Sequence, residues 1–106
     1  MLTKKVRAVA ERFRRRVADV LPVIAVRAFG SRVRRRHAPD SDLDIFIEAE
    51  SVTPEQRRRI SEVAWEAGFD AGYVISTFVV TRDQIEHGME GANPLVINAL
   101  AEGDLL

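Results

Sequence analysis

The sequence contains no cysteine, and this absence excludes disulfide bonds and thiolate metal sites. It also lacks any apolar run close to the ~20 residues that a membrane-spanning helix needs. The charged residues near the N-terminus are not followed by the apolar core of a signal peptide. We therefore expect a cytoplasmic protein that makes no use of a membrane.

The chain has no excess of charge of either sign, with 16 Lys and Arg against 16 Asp and Glu. A protein that grips nucleic acid by its backbone usually carries a basic excess, so nucleic acid is not expected as the main partner. An apolar fraction of 46% argues against disorder. At 106 residues the chain is long enough for one domain, and we expect it to span residues 1–106.

The hydrophobic pattern alternates between helical and strand periods along the chain. It predicts helices over 3–21, 54–68, 81–87 and 94–102, and strands over 23–29, 42–48 and 73–80. In the second strand, the alternate residues Leu43, Ile45 and Ile47 are apolar and face one side. This order predicts an α+β (α/β-like) domain with a small mixed sheet flanked by helices.

Several residues predict where the helices begin and end. Thr53 and Thr81 are each followed three residues later by glutamine, which is the pattern of a capping box. Thr3 is predicted to be the N-cap of the first helix. Gly68 and Gly103 are expected to end the second and last helices, because glycine often terminates a helix.

The most informative segment is Phe29-Gly30-Ser31, followed after ten residues by Asp42-Leu43-Asp44. Because side chains on a strand alternate, Asp42 and Asp44 project from one face, roughly 7 Å apart along the chain. Two carboxylates held so close repel each other unless a cation lies between them. Mg²⁺ prefers oxygen ligands of this kind and completes its shell with water and substrate phosphates.

The glycine-serine pair at the end of the preceding strand suits a phosphate group. Gly30 permits a sharp turn and a close approach of a ligand to the backbone. Ser31 adds a hydroxyl donor, and the amides after it can point at an anion. A phosphate-binding turn beside two metal-binding carboxylates predicts phosphoryl or nucleotidyl transfer from a nucleoside triphosphate.

Residues 29–48 resemble the signature of the DNA polymerase β-like nucleotidyltransferase superfamily, and the short chain resembles its minimal branch. The resemblance implies the polymerase β-like fold, with Gly30 and Ser31 binding the triphosphate of ATP and Asp42 and Asp44 ligating Mg²⁺. Arg32 occupies a position where this branch often carries arginine, so it is expected to contact phosphate. Ser41 joins the candidate nucleotide-binding residues.

Members of that branch are often paired with a helical HEPN protein, in some cases as antitoxin and toxin. The resemblance therefore implies transfer of AMP to a hydroxyl, on a partner protein among other acceptors. Beyond the motif, Trp65 is expected either to pack under the C-terminal helix or to belong to an interface, since tryptophan is enriched there. A homodimer and a docked partner are both open alternatives.

The sequence departs from the family at one point. The family usually carries a third carboxylate on the strand after the second helix, where it completes the metal site, but this strand offers Ser76 and Thr77 instead. Asp70 precedes the strand and is not expected to substitute. A two-ion Mg²⁺ site would be incomplete, so two hypotheses stand: an active nucleotidyltransferase, or a weak or inactive antitoxin-like binding module of the same fold.

Overall fold

A four-stranded mixed sheet with helices on both faces organises residues 3–29, 43–88 and 92–106, the part of the chain that the computed structural model describes. The elements in chain order are α1 (Lys4–Val20), β1 (Ala25–Phe29), β2 (Leu43–Ala49), α2 (Pro54–Ala71), β3 (Ile75–Thr81), α3 (Arg82–His87), α4 (Pro94–Glu102) and β4 (Asp104–Leu105). The strand order is β3-β2-β1-β4, and β1 runs antiparallel to both of its neighbours. β2 and β3 are parallel and are connected through α2. The predicted fold class is confirmed.

One face of the sheet carries the main hydrophobic core, and we call it the α1/α2 face. The apolar stripe of α1 and the buried side of α2 pack there against alternate residues of β2. The largest fully buried side chains of this core are Phe13, Val17, Val26, Leu43, Ile45, Ile47, Ile60 and Val63. The predicted alternation of the second strand is therefore confirmed for the residues that face this side.

The opposite face, which we call the α4 face, carries a smaller apolar cluster. Its buried members are Phe29, Phe46, Val80, Val96 and Ala99, contributed by the three longer strands and by α4. Phe46 has no exposed surface, because α4 covers the middle of this face. The helix leaves the start of β2 less covered than its centre.

The predicted helix starts are confirmed by their caps. The Thr53 hydroxyl accepts a hydrogen bond from the Gln56 amide at 3.0 Å, and the Gln56 side chain accepts one from the Thr53 amide at 2.8 Å. Thr81 and Gln84 form the same capping box at 3.1 and 2.9 Å. Thr3 caps α1. Each cap satisfies amides that lack a partner within the helix.

The predicted end of the second helix at Gly68 is wrong. α2 continues to Ala71 and ends at Gly72, whose φ of 79° is left-handed. Gly68 lies buried inside the helix, where a Cβ atom would stand 2.4 Å from the Tyr73 carbonyl oxygen. Glycine is required there for close packing of the helix against the turn into β3, and not to end the helix.

The sequence pattern missed the last strand. Gly103 ends α4 as predicted, and the chain then extends along β1, with Asp104 opposite Ala28 and Leu105 opposite Arg27. A strand of two residues has too short a pattern to be recognised from sequence, and its pairing with β1 defines it. None of the described helices has the length and apolar character needed to cross a membrane.

The expectation that Trp65 packs under the C-terminal helix is also wrong. Trp65 lies on α2, which covers the α1/α2 face, whereas α4 covers the opposite face. The indole is 68% exposed. Its role in an interface stays a prediction.

Candidate functional site

The described part of the predicted motif lies where β1 ends and β2 begins. Phe29, the last residue of β1, is the register partner of Asp44, the second residue of β2. Because the two strands are antiparallel, the chain leaves β1 and enters β2 at the same edge of the sheet. Residues 30–42 connect these two points in the sequence.

Asp44 occupies the α4 face, together with Phe46 and Glu48 of the same strand. The apolar residues between them belong to the core of the opposite face, which fixes the side from which Asp44 projects. Asp44 is half-buried, whereas Phe46 is fully buried. Asp44 therefore lies at the rim of an apolar face and is held there by the sheet.

Ser76 is the residue that the neighbouring strand places beside Asp44. The parallel register of β2 and β3 pairs Asp44 with Ser76, and adjacent strands lie about 4.8 Å apart. The strand Ile75–Thr81 contains no acidic residue. The side chain next to Asp44 on this strand is therefore a hydroxyl and not a carboxylate.

Other described acids do not complete a group around Asp44. Asp70 is exposed on α2, which packs on the opposite face of the sheet. Glu48 shares the face of Asp44 but lies four residues along the strand, roughly 13 Å away, and pairs with Arg82 at 3.4 Å. Within the described ranges, no three Asp, Glu, His or Cys residues are grouped in a way that could hold a metal ion.

The remaining predicted site residues fall outside the described part of the chain. They are Gly30, Ser31, Arg32, Ser41 and Asp42. Their roles stay predictions, and Asp44 is the predicted site residue whose position is described.

The structure adds one aromatic residue, Phe78, that the sequence pattern did not single out. Phe78 follows Ser76 by two residues on β3 and stacks at a tilt against Phe29, with ring centroids 5.6 Å apart. Since Phe29 is the register partner of Asp44, this pair forms an apolar wall beside the carboxylate. The alternation of β3 alone would have put Ser76 and Phe78 on one face, but only the register with β2 shows that this face is the one that holds Asp44.

A cavity of about 320 Å³ continues from this wall along β3 toward α4. Phe78 and Val80 line it from the strand, and Asn93 and Leu95 line it from the start of α4. The Asn93 side chain accepts a hydrogen bond from the Leu95 amide at 2.9 Å and so caps this helix. The cavity combines the Phe78 ring with polar groups, and neither Asp44 nor Ser76 is among the residues that line it.

The donors at this position fit a magnesium ion. The Asp44 carboxylate and the Ser76 hydroxyl are hard oxygen ligands, and the register of β2 and β3 places them on neighbouring strands. Mg²⁺ is commonly bound by one or two carboxylates, with water and substrate phosphates completing its shell. The described residues supply one such carboxylate.

Among the comparisons with known proteins, a family model matches the chain. No curated protein and no solved structure matches the chain significantly. A family model described as a nucleotidyltransferase domain matches residues 6–103, which is nearly the whole chain. The mixed four-stranded sheet with flanking helices is consistent with the polymerase β-like fold of such domains. The chain therefore belongs to the nucleotidyltransferase domain family.

Proposed function

We propose that this chain is a minimal nucleotidyltransferase that transfers AMP from ATP to a hydroxyl group. The family implies a nucleotide substrate. The observation that carries the proposal is the register of Asp44 with Phe29, because Phe29 immediately precedes Gly30 in the sequence. Asp44 and the residue that precedes the glycine-serine pair in the sequence thus lie at the same end of β1 and β2, and a triphosphate with its cation needs such groups close together.

Each candidate residue has a proposed role in that site. Asp42 and Asp44 would hold Mg²⁺, which this family typically uses. Gly30 and Ser31 would hold the triphosphate through backbone amides and a hydroxyl. Arg32 and Ser41 would add a cation and a hydroxyl to the same phosphates. When bound, the metal supplies neutralisation of the phosphate charge.

In the proposed reaction, the acceptor hydroxyl oxygen forms a bond to the α-phosphorus of ATP. The bond from that phosphorus to the bridging oxygen breaks, and pyrophosphate leaves with the electron pair. We propose a protein side chain or a small molecule as the acceptor, by analogy with the minimal branch that the motif resembles.

Removal of the proton from the acceptor hydroxyl is the step that the described residues assist least. A carboxylate beside Asp44 could accept it, but the neighbouring strand places Ser76 there, and a hydroxyl is a very weak base. The proton would pass to solvent, which makes transfer slow. This observation favours the second candidate function, a weak or inactive nucleotide-binding module that docks a partner protein, as antitoxins of the HEPN-paired type do.

An assay with ATP labelled at the α-phosphate distinguishes the two functions. The chain is incubated with Mg²⁺, the label and the protein encoded beside it, in parallel with the variants Asp44→Asn and Asp70→Asn. The enzyme proposal predicts labelled product with the wild type and with Asp70→Asn, since Asp70 lies on the far face, and none with Asp44→Asn. If Asp44→Asn labels as well as the wild type, the proposed site is wrong.

The variant Ser76→Asp tests the reason for slow transfer. It restores a carboxylate beside Asp44, and a positioned general base typically contributes about 10²–10⁴-fold to a rate. If the wild type shows no transfer and Ser76→Asp does, the result supports the binding module as the function of the wild type. An unchanged rate in an active chain shows that proton removal by this neighbour does not limit the reaction.

A further inference from the structure

Two large aromatic side chains of α2 face solvent on the α1/α2 side of the molecule. Trp65 is 68% exposed and Phe69 is 73% exposed, and their rings stack with centroids 5.3 Å apart. Val74, in the turn before β3, is 59% exposed beside them. We call these three residues the aromatic patch. A contiguous apolar patch that is exposed in this way is often functional.

The patch borders a groove between α2 and β3. The groove has a volume of about 360 Å³ and is also lined by Ser61, Ala64, Tyr73 and Ile75. Most of its lining side chains are apolar or aromatic, and Ser61 and Tyr73 add hydroxyl groups, so the groove favours an apolar side chain over a charged one.

The groove lies along a strand edge that has no neighbour among the described residues. β3 is the last strand of the sheet on this side, and alternate residues of such a strand turn their amides and carbonyls outward. Near its C-terminal end, the Val79 carbonyl already accepts a hydrogen bond from the Arg57 guanidinium at 3.0 Å. The N-terminal half, around Ile75, is the part of the edge that adjoins the aromatic patch.

We propose that a second copy of this chain covers the aromatic patch across a two-fold axis near Ile75. The axis places the N-terminal half of β3 antiparallel to its counterpart, so that the outward backbone groups pair and the two sheets join into one. The same operation brings each aromatic patch against the other. A two-fold contact requires a surface that is complementary to itself, and an apolar patch without charge meets that requirement.

The charges around the patch favour a second copy over an oppositely charged partner. On the neighbouring side of α2, Arg58 and Arg59 pair with Glu62, and Arg59 also pairs with Glu66. These pairs balance the charges on this part of α2, so they favour neither an acidic nor a basic macromolecule as the occupant.

The exposed area is also of the size that a dimer needs. An aromatic side chain buries 150–250 Å² when fully covered, so Trp65 and Phe69 together still offer roughly 300 Å². With Val74 included, the patches of two copies together bury roughly 800 Å², and pairing of the two strand edges would supply the remainder of the ~1,000 Å² that a specific interface should clear. The patch lies on the sheet face opposite Asp44, so this proposal stands independently of nucleotidyl transfer.

Because Trp65 is the only tryptophan, its fluorescence reports directly on the patch. We expect sedimentation equilibrium to give twice the chain mass of 11.9 kDa at micromolar concentrations, with tryptophan emission moving to shorter wavelength as concentration rises. Phe69→Lys should weaken the dimer at least tenfold. Ile97→Lys is the matched control, since Ile97 is a 48% exposed apolar residue on α4, and it should leave association unchanged.

Circular dichroism checks that each variant is folded. If Phe69→Lys does not fold, Val74→Lys serves as a second variant of the aromatic patch. A wild-type chain that stays at 11.9 kDa up to the highest concentration overturns the second copy as occupant. So does a dimer that Ile97→Lys dissociates while Phe69→Lys and Val74→Lys do not. Binding of a different protein to a monomeric wild type would equally refute the proposal.

Discussion

The substitution Gly68→Ala should destabilise the protein, although alanine is normally the better helix residue by about 1 kcal/mol. The added Cβ would stand 2.4 Å from the Tyr73 carbonyl oxygen, about 1 Å closer than an ordinary contact. The turn cannot withdraw freely, because the Tyr73 amide donates to the Gly68 carbonyl at 2.9 Å and the Leu43 amide donates to the Val74 carbonyl at 2.8 Å. Overpacking of this kind typically costs about 1–3 kcal/mol, which exceeds the gain in helix propensity.

Thermal unfolding followed by circular dichroism measures this effect. For a domain of this size, each 1 kcal/mol lowers Tm by about 4–8 °C, so we expect a fall on the order of 10 °C for Gly68→Ala. Ser61→Ala is the control, because Ser61 is exposed on the same helix and its replacement should leave Tm unchanged or slightly raised. An unchanged or raised Tm for Gly68→Ala would show that the helix does not pack this closely against the turn.

Three further changes have defined outcomes in the same unfolding measurement. Thr53→Ala removes half of the capping box with Gln56 and should cost about 1 kcal/mol; no loss would mean that the cap is dispensable. Phe46→Ala empties the centre of the α4 face and should cost about 3–5 kcal/mol, and a cost below 1 kcal/mol would contradict full burial. Arg16→Ala breaks a partly exposed ion pair with Glu66 and should cost less than about 1 kcal/mol, an effect that vanishes in high salt if the pair acts through charge.

Features written in a few consecutive residues were predicted correctly. The capping boxes at Thr53 and Thr81 depend on a side chain and an amide three residues away, so the sequence alone specifies them. The alternation of the second strand depends only on the two-residue period of a strand, and it put Asp44 on the face opposite the main core. Asp44 could therefore be recognised as a candidate site residue before any fold was known.

Features that depend on distant parts of the chain were not predictable in the same way. Gly68 resembled a helix end because its contact with the Tyr73 carbonyl exists only after the chain has turned back. β4 is defined by its pairing with β1, which lies far from it in the sequence. The absence of a carboxylate on β3 was visible in the sequence, but that Ser76 is the residue beside Asp44 follows from the parallel register of two strands separated by a helix.

Calorimetric titration of the folded chain with Mg²⁺ and ATP measures whether Asp44 belongs to a nucleotide site. We predict a binding isotherm for the wild type and for Asp70→Asn, and an affinity at least tenfold lower for Asp44→Asn, which corresponds to a loss of about 1.4 kcal/mol or more. Omitting Mg²⁺ should also lower the affinity of the wild type for ATP, because the carboxylate would then repel the phosphates. Equal affinities for the wild type and Asp44→Asn would contradict the proposed site, whatever the fold of the chain.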